Sequence, residues 1–95
     1  MNVDQMFLAT ARFCPDAAVR RAPYRQAHLA HVRSLVDDGT AVIAGAVADL
    51  SVSVLVLRVG DERAARAVMV QDPYWRNGIW TSLDVVGFLV VAGQS

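Results

Sequence analysis

Three stretches of this chain are apolar on both sides of what reads as a β-strand. Thr40–Ala48 sets Val42 and Ala44 against Ile43 and Val47, and Ser51–Val59 sets Val52, Val54 and Val56 against Leu55 and Leu57. Ile79–Val91 sets Val86 and Phe88 against Leu83, Val85 and Leu89. A sheet with one face in water alternates apolar with polar side chains, so strands of this kind call for cover on both faces. The chain has 95 residues, of which 55% are hydrophobic, enough for one core and not two. A single domain over residues 1–95, with its core at about 6–91, is therefore expected to cover one face of its sheet and leave the other needing a partner.

Helical periodicity marks two stretches. In Tyr24–Gly39, Tyr24, His28, Val32, Leu35 and Val36 share one face, with Gln26, Arg33 and Asp37 opposite. Pro23 suits the first turn and Gly39 a left-handed C-terminal cap. The second helix opens at Asp61 as N-cap, with Glu62 in its first turn, and runs to about Gln71. Asp72 precedes Pro73 and is pushed out of helical geometry. Residues 5–13 read as the first strand, Cys14–Asp16 and Pro73–Gly78 as loops, and Asp49-Leu50 as the turn of a hairpin. The order is β-α-β-β-α-β, the ferredoxin-like α+β plan: a four-stranded antiparallel sheet with two helices on one face. The simplest cover for the other, apolar face is a second copy, so a homodimer packed sheet to sheet is expected.

Composition removes several classes of function. Net charge is zero with no block of like charge, against the footprint of a nucleic-acid binder. No apolar run reaches the roughly 18 residues of a membrane helix. The start carries no basic segment followed by an apolar one, and Cys14 is a lone cysteine, so a cytoplasmic protein is expected. All nine basic residues are arginine, which leaves no lysine for Schiff-base chemistry. His28 and His31 are spaced to share a metal, but no third ligand is signposted, and neither metal nor cofactor is expected. There is no glycine-rich phosphate loop, no Gly-x-Ser-x-Gly elbow and no HExxH motif.

Two residues interrupt apolar stripes. His28 occupies the centre of the first helix's apolar face, where a leucine is expected, and Arg25 sits one turn earlier on its flank. Extending the second helix's stripe (Ala65, Val68, Met69) by one turn lands on Asp72, at the end of the dipole where a carboxylate needs a cation or donor. If the helices lie side by side, Asp72 meets His28, fixing the ring tautomer and freeing the other nitrogen for proton transfer. The plainer reading is a core histidine and a loop cap. Ser51 and Ser53 share a strand face and are candidate ligand donors; Tyr74, Trp75 and Trp80 either wall a pocket or pack at the dimer interface. His31 reads as a surface or interface residue. Cys14 has no activating base in view.

Arg25-x-x-His28-Leu29, Asp38-Gly39, Ala44-Gly45 and Asp72-Pro73-Tyr74 with Gly78, in this order over residues 6–91, resemble the YCII-related family. The resemblance implies a ferredoxin-like fold, dimerisation through the sheet in dimeric α+β barrel-type packing, and a His–Asp pair in a pocket, here His28 and Asp72 with Arg25 beside them. Proteins of similar fold include muconolactone isomerases and a dehydrochlorinase acting on a chlorinated hydroxyquinol. The implied function is a cofactor-independent acid/base enzyme for isomerisation or elimination on a small carbonyl or hydroxyaromatic molecule, with Ser51, Ser53, Tyr74 and Trp75 as further binding residues. A small-metabolite-binding domain without turnover and a structural dimer remain the alternatives.

Overall fold

The computed structural model describes residues 4–92; residues 1–3 and 93–95, the ends of the expected domain, lie outside the described residues. Strand β1 (Asp4–Phe13) is followed by a four-residue helix α1 (Ala17–Arg20), a 3₁₀ turn at Ala22–Tyr24 and helix α2 (Arg25–Asp37). Strands β2 (Ala41–Ala46) and β3 (Val52–Leu57) form the hairpin. Helix α3 (Glu62–Met69), a four-residue helix α4 (Pro73–Arg76) and strand β4 (Trp80–Val90) complete the chain. The sheet runs in the order β2-β3-β1-β4, every neighbouring pair antiparallel. This is the ferredoxin-like topology expected from the sequence.

Both long helices start and stop where local chemistry dictates. The Asp61 carboxylate accepts from the Ala64 amide at 2.7 Å and caps α3. Gly39 takes φ +85° after α2, a left-handed conformation in which a side chain clashes with its own backbone. Helix α3 ends near Met69 rather than Gln71. The last amides there, of Gln71 and Asp72, turn back to Val68 and Met69, and Asp72 is extended because Pro73 follows it. The sequence predicts a loop where α4 stands and assigns no element to α1; four residues are too few to display a helical period.

The core lies between the helices and one sheet face. Phe7, Ala9, Ala11 and Phe13 of β1 line that face with Leu55, Leu57 and Val85, and meet Ala65, Met69, Tyr74, Ile79 and Trp80. Ala9 and Ala11 are wholly buried on a central strand, where small side chains let the helices close onto the sheet. Helix α2 presents His28, His31, Val32 and Leu35 inward, an i, i+3, i+4, i+7 stripe. Val36, expected on that stripe, is displaced to its edge and exposed, while His31, expected at the surface, is half buried.

The opposite face carries Leu8, Val54, Val56, Val86 and Phe88, joined by Ile43 after a bulge between Ala41 and Ile43 turns that residue outward. No helix packs there, and Ile43 and Val86 are 63% and 56% exposed. Among the described residues no helix is long and apolar enough to cross a membrane.

Gly39 has open space where a Cβ would stand, so Gly39→Ala tests its backbone conformation alone. The variant is expected to lose about 1–2 kcal/mol in urea unfolding with the slope unchanged.

Candidate active site

Helices α2 and α4 meet on the covered face of the sheet, and a polar contact joins them. The Nδ1–H of His28 donates to both oxygens of Asp72, at 2.8 and 2.9 Å, with both residues buried. A carboxylate only accepts, so Nδ1 carries a proton, and in the neutral imidazole Nε2 holds the lone pair. The same carboxylate caps α4: Oδ1 accepts from the Tyr74 amide at 2.8 Å, with Pro73 as the first helical residue. Asp72 therefore stands at the favourable end of α4 as well as beyond the end of α3, and the cation-or-donor it needs is supplied twice over.

The imidazole is held by rings as well. Tyr74 stacks on it with centroids 3.8 Å apart and planes within 6° of parallel, and Trp80 meets it edge-on at 5.4 Å. Hydrogen bond, stack and edge contact leave the ring one orientation.

Beside it opens a cavity of about 190 Å³ between α2, its preceding turn, and strands β2 and β3. His28, Arg21, Arg25, Tyr74 and Ser53 supply its polar wall; Phe13, Val32 and Leu55 are among the apolar lining. The Ala44–Ala46 segment of β2 closes the far side. Of the residues expected at the site, His28, Arg25, Ser53 and Tyr74 come together on this cavity, and Asp72 stands directly behind His28. Ser51 and Trp75 do not join them. Ser51 is exposed in the hairpin turn, its amide bound to Asp49, and Trp75 packs half-buried against the core; neither lines the cavity. Trp80 lies behind the imidazole rather than on the cavity wall. Ser53 spends its hydrogen on the Gly45 carbonyl at 3.1 Å, so toward a ligand it offers lone pairs instead of the donor expected.

Arg21 is the cavity residue that the sequence reading missed. Its spacing of four from Arg25 is the signal, visible only if residues 17–24 are read as helical. Neither arginine has a carboxylate partner among the described residues, where Asp72 is engaged by His28 and Glu62 by Arg66. The Tyr74 hydroxyl is fully buried and has no hydrogen-bond partner. Burial raises its pKa above the ordinary 10.0, opposed by the guanidinium charges of Arg21 and Arg25 and by the polar contact of Arg21 with its oxygen, so at neutral pH it is a proton-bearing donor whose hydrogen has no acceptor. Among the described residues no group of three His, Cys, Asp or Glu side chains is placed to hold a metal.

Residues 6–89 match the YCII-related domain. The chain belongs to that family. Among solved structures, 5-chloro-2-hydroxyhydroquinone dehydrochlorinase from Burkholderia phenoliruptrix, in complex with 2,5-dihydroxybenzoquinone, is similar to this YCII-related chain with a TM-score of 0.73. The two are 19% identical over 85% of this chain and 90% of that one. At that identity the likeness is one of fold. No curated protein sequence matches.

A raised phenol pKa has a definite signature. Below pH 10.0 both folded and unfolded states keep the proton; above it the unfolded chain loses the proton first, so stability falls until the folded pKa is passed. Tyr74→Phe is expected to remove this alkaline loss. The difference in 295 nm absorbance between wild type and variant isolates a phenol titrating above 10.0.

Proposed function

We propose that this chain is a small acid–base enzyme that moves a proton on a hydroxyaromatic or small carbonyl compound through the His28–Asp72 pair, without a cofactor. One observation carries the reading: Nδ1 of a buried imidazole is pinned by a carboxylate, which leaves a basic Nε2 beside a ligand-sized cavity. Nε2 takes a proton from carbon next to a carbonyl, or from a ring hydroxyl. Asp72 stabilises the imidazolium that forms, and Arg25 balances charge gathering on the substrate oxygen. In an isomerisation the proton returns at another carbon. In an elimination the electron pair left by the proton forms the new double bond, and the leaving group departs with its own bonding pair. A dehydrochlorinase for a chlorinated hydroxyquinol has the same fold, which supports a hydroxyaromatic substrate here.

The test is exchange of carbon-bound hydrogen with D₂O across single-ring hydroxyaromatics and small oxo acids, 2,5-dihydroxybenzoquinone among them, followed by NMR. His28→Ala is expected to lower exchange by about 10²–10⁴-fold, and Asp72→Asn to lower turnover with ligand affinity held within a few-fold. Turnover intact in His28→Ala with only affinity lost would sink the assignment. Thermal stabilisation by these compounds without any exchange would assign the cavity to binding alone.

The exposed sheet face supports a homodimer as the working form. Ile43, Val86 and Phe88 share it, and a shallow apolar groove lined by Ile43, Val47 and Val54 runs along its β2 edge. Sedimentation equilibrium is expected to give twice the 10.3 kDa chain mass, and the double variant Val86→Lys with Phe88→Glu to give the monomer. A wild-type monomer at tens of micromolar would contradict the dimer.

A further inference from the structure

The proposed chemistry uses His28, Asp72 and Arg25 and leaves two features of the cavity unexplained. One is Arg21, a second guanidinium without a carboxylate partner on the same wall. The other is the Tyr74 hydroxyl, on a residue only 1% exposed: the Arg21 guanidinium beside it can only donate, so the hydroxyl's own hydrogen has no acceptor. A buried hydroxyl hydrogen without an acceptor has given up water and gained nothing in return. Arg21, half-buried, and Arg25, exposed, also place two like charges on one wall of the cavity. Occupation by an anion relieves both. No acidic side chain lines the cavity to do so from within, since Asp72 is turned away and engaged by His28 and the Tyr74 amide.

We propose that Arg21 and the Tyr74 hydroxyl, with Arg25, form an anion subsite, so that the ligand is a planar organic anion of single-ring size with an ionised oxygen on trigonal carbon. This rests on the acid–base reading for the ligand's other end, which meets His28. A cavity of about 150 Å³ holds a benzene ring, and this one, at about 190 Å³, has room for the ring and an oxygen substituent. The parallel His28–Tyr74 stack places Nε2 and the phenol hydroxyl within the span of one small molecule. As Nε2 removes a proton from carbon, the C–H pair becomes a C=C bond and the carbonyl pair moves onto oxygen. That oxygen gains charge where Tyr74 donates a hydrogen bond and Arg21 supplies positive charge. Reprotonation at carbon reverses the flow, and no oxidant or metal is consumed.

Isothermal titration with benzoate, with 2,5-dihydroxybenzoquinone in its ionised form, and with neutral benzamide tests the subsite. In wild type at least one of the two anions is expected to bind at least about tenfold more tightly than benzamide. The tighter anion tells whether carboxylate or ionised enol is the preferred oxygen. Arg21→Gln and Tyr74→Phe are each expected to weaken that anion several-fold to tenfold or more while leaving benzamide unchanged. Tyr74→Phe keeps the stack on His28, so loss of the hydroxyl is read without loss of the ring. Equal affinity for anions and benzamide, no anion binding at millimolar concentration, or anion binding indifferent to both substitutions would overturn the subsite. The dyad is tested separately: His28→Ala keeps the anion preference if the subsite stands, whether or not proton exchange is found. Exchange that dies in His28→Ala yet is untouched by Arg21→Gln and Tyr74→Phe overturns the subsite and leaves the dyad standing.

Discussion

The Asp72 carboxylate is the interaction on which the site depends. It lies in the chain just after α3, is held extended by Pro73, and accepts from two elements at once: the imidazole of α2 and the first free amide of α4. A buried carboxylate without donors is costly, so burial of Asp72 is tolerable only when both are in place. The requirement works in the other direction as well. With α4 capped by Asp72, Tyr74 is delivered to the face of the imidazole, and Trp80, at the start of β4, closes on its edge. One carboxylate thus fixes the tautomer of His28, the position of Tyr74 and the junction of two helices.

That arrangement divides the cavity's chemistry between elements. Helix α2 and the turn before it supply an imidazole and two positive charges; α4 supplies a neutral phenol; β2 and β3 supply Leu55, small side chains and backbone. Burial explains why the donor stays neutral, because a phenolate there would lose water's solvation faster than the arginines repay it. A base without a proton, a donor with one, and fixed positive charge are complementary to a ligand that gives up a proton and gathers negative charge.

Much of this was legible in the residues. An ionisable ring in the middle of an apolar stripe, and a carboxylate where a second stripe should continue, are violations of pattern that rarely survive without a local reason. Pro73 made the extended geometry of Asp72 readable, and Gly39 the end of α2. What escaped did so for identifiable causes. Arg21 was hidden because α1 and the 3₁₀ turn together are too short to show a period, so residues 17–22 carried no assignment. Trp75 was grouped with Tyr74 as an aromatic wall, yet adjacent residues on a helical turn point roughly 100° apart, and only one of them faces the cavity. Ser51 shares the parity of Ser53 but falls one residue before β3 begins, where strand parity no longer governs direction. His31 and Val36 exchanged places because the inward stripe of α2 is centred slightly off the line drawn through Tyr24, His28 and Val36.

Strand β2 is an edge strand one backbone thick, and its Ala44-Gly45-Ala46 segment is a partition with a different compartment on each side. Ala44 and Ala46 pair with Leu55 and Ser53 and point toward the ligand cavity; Gly45 pairs with Val54 and points toward the open sheet face. A methyl group at Gly45 would meet nothing within 4 Å. Period-two geometry therefore lets the alanines bound the cavity while the glycine sets how closely another surface can approach the open face, three consecutive residues shaping two separate volumes.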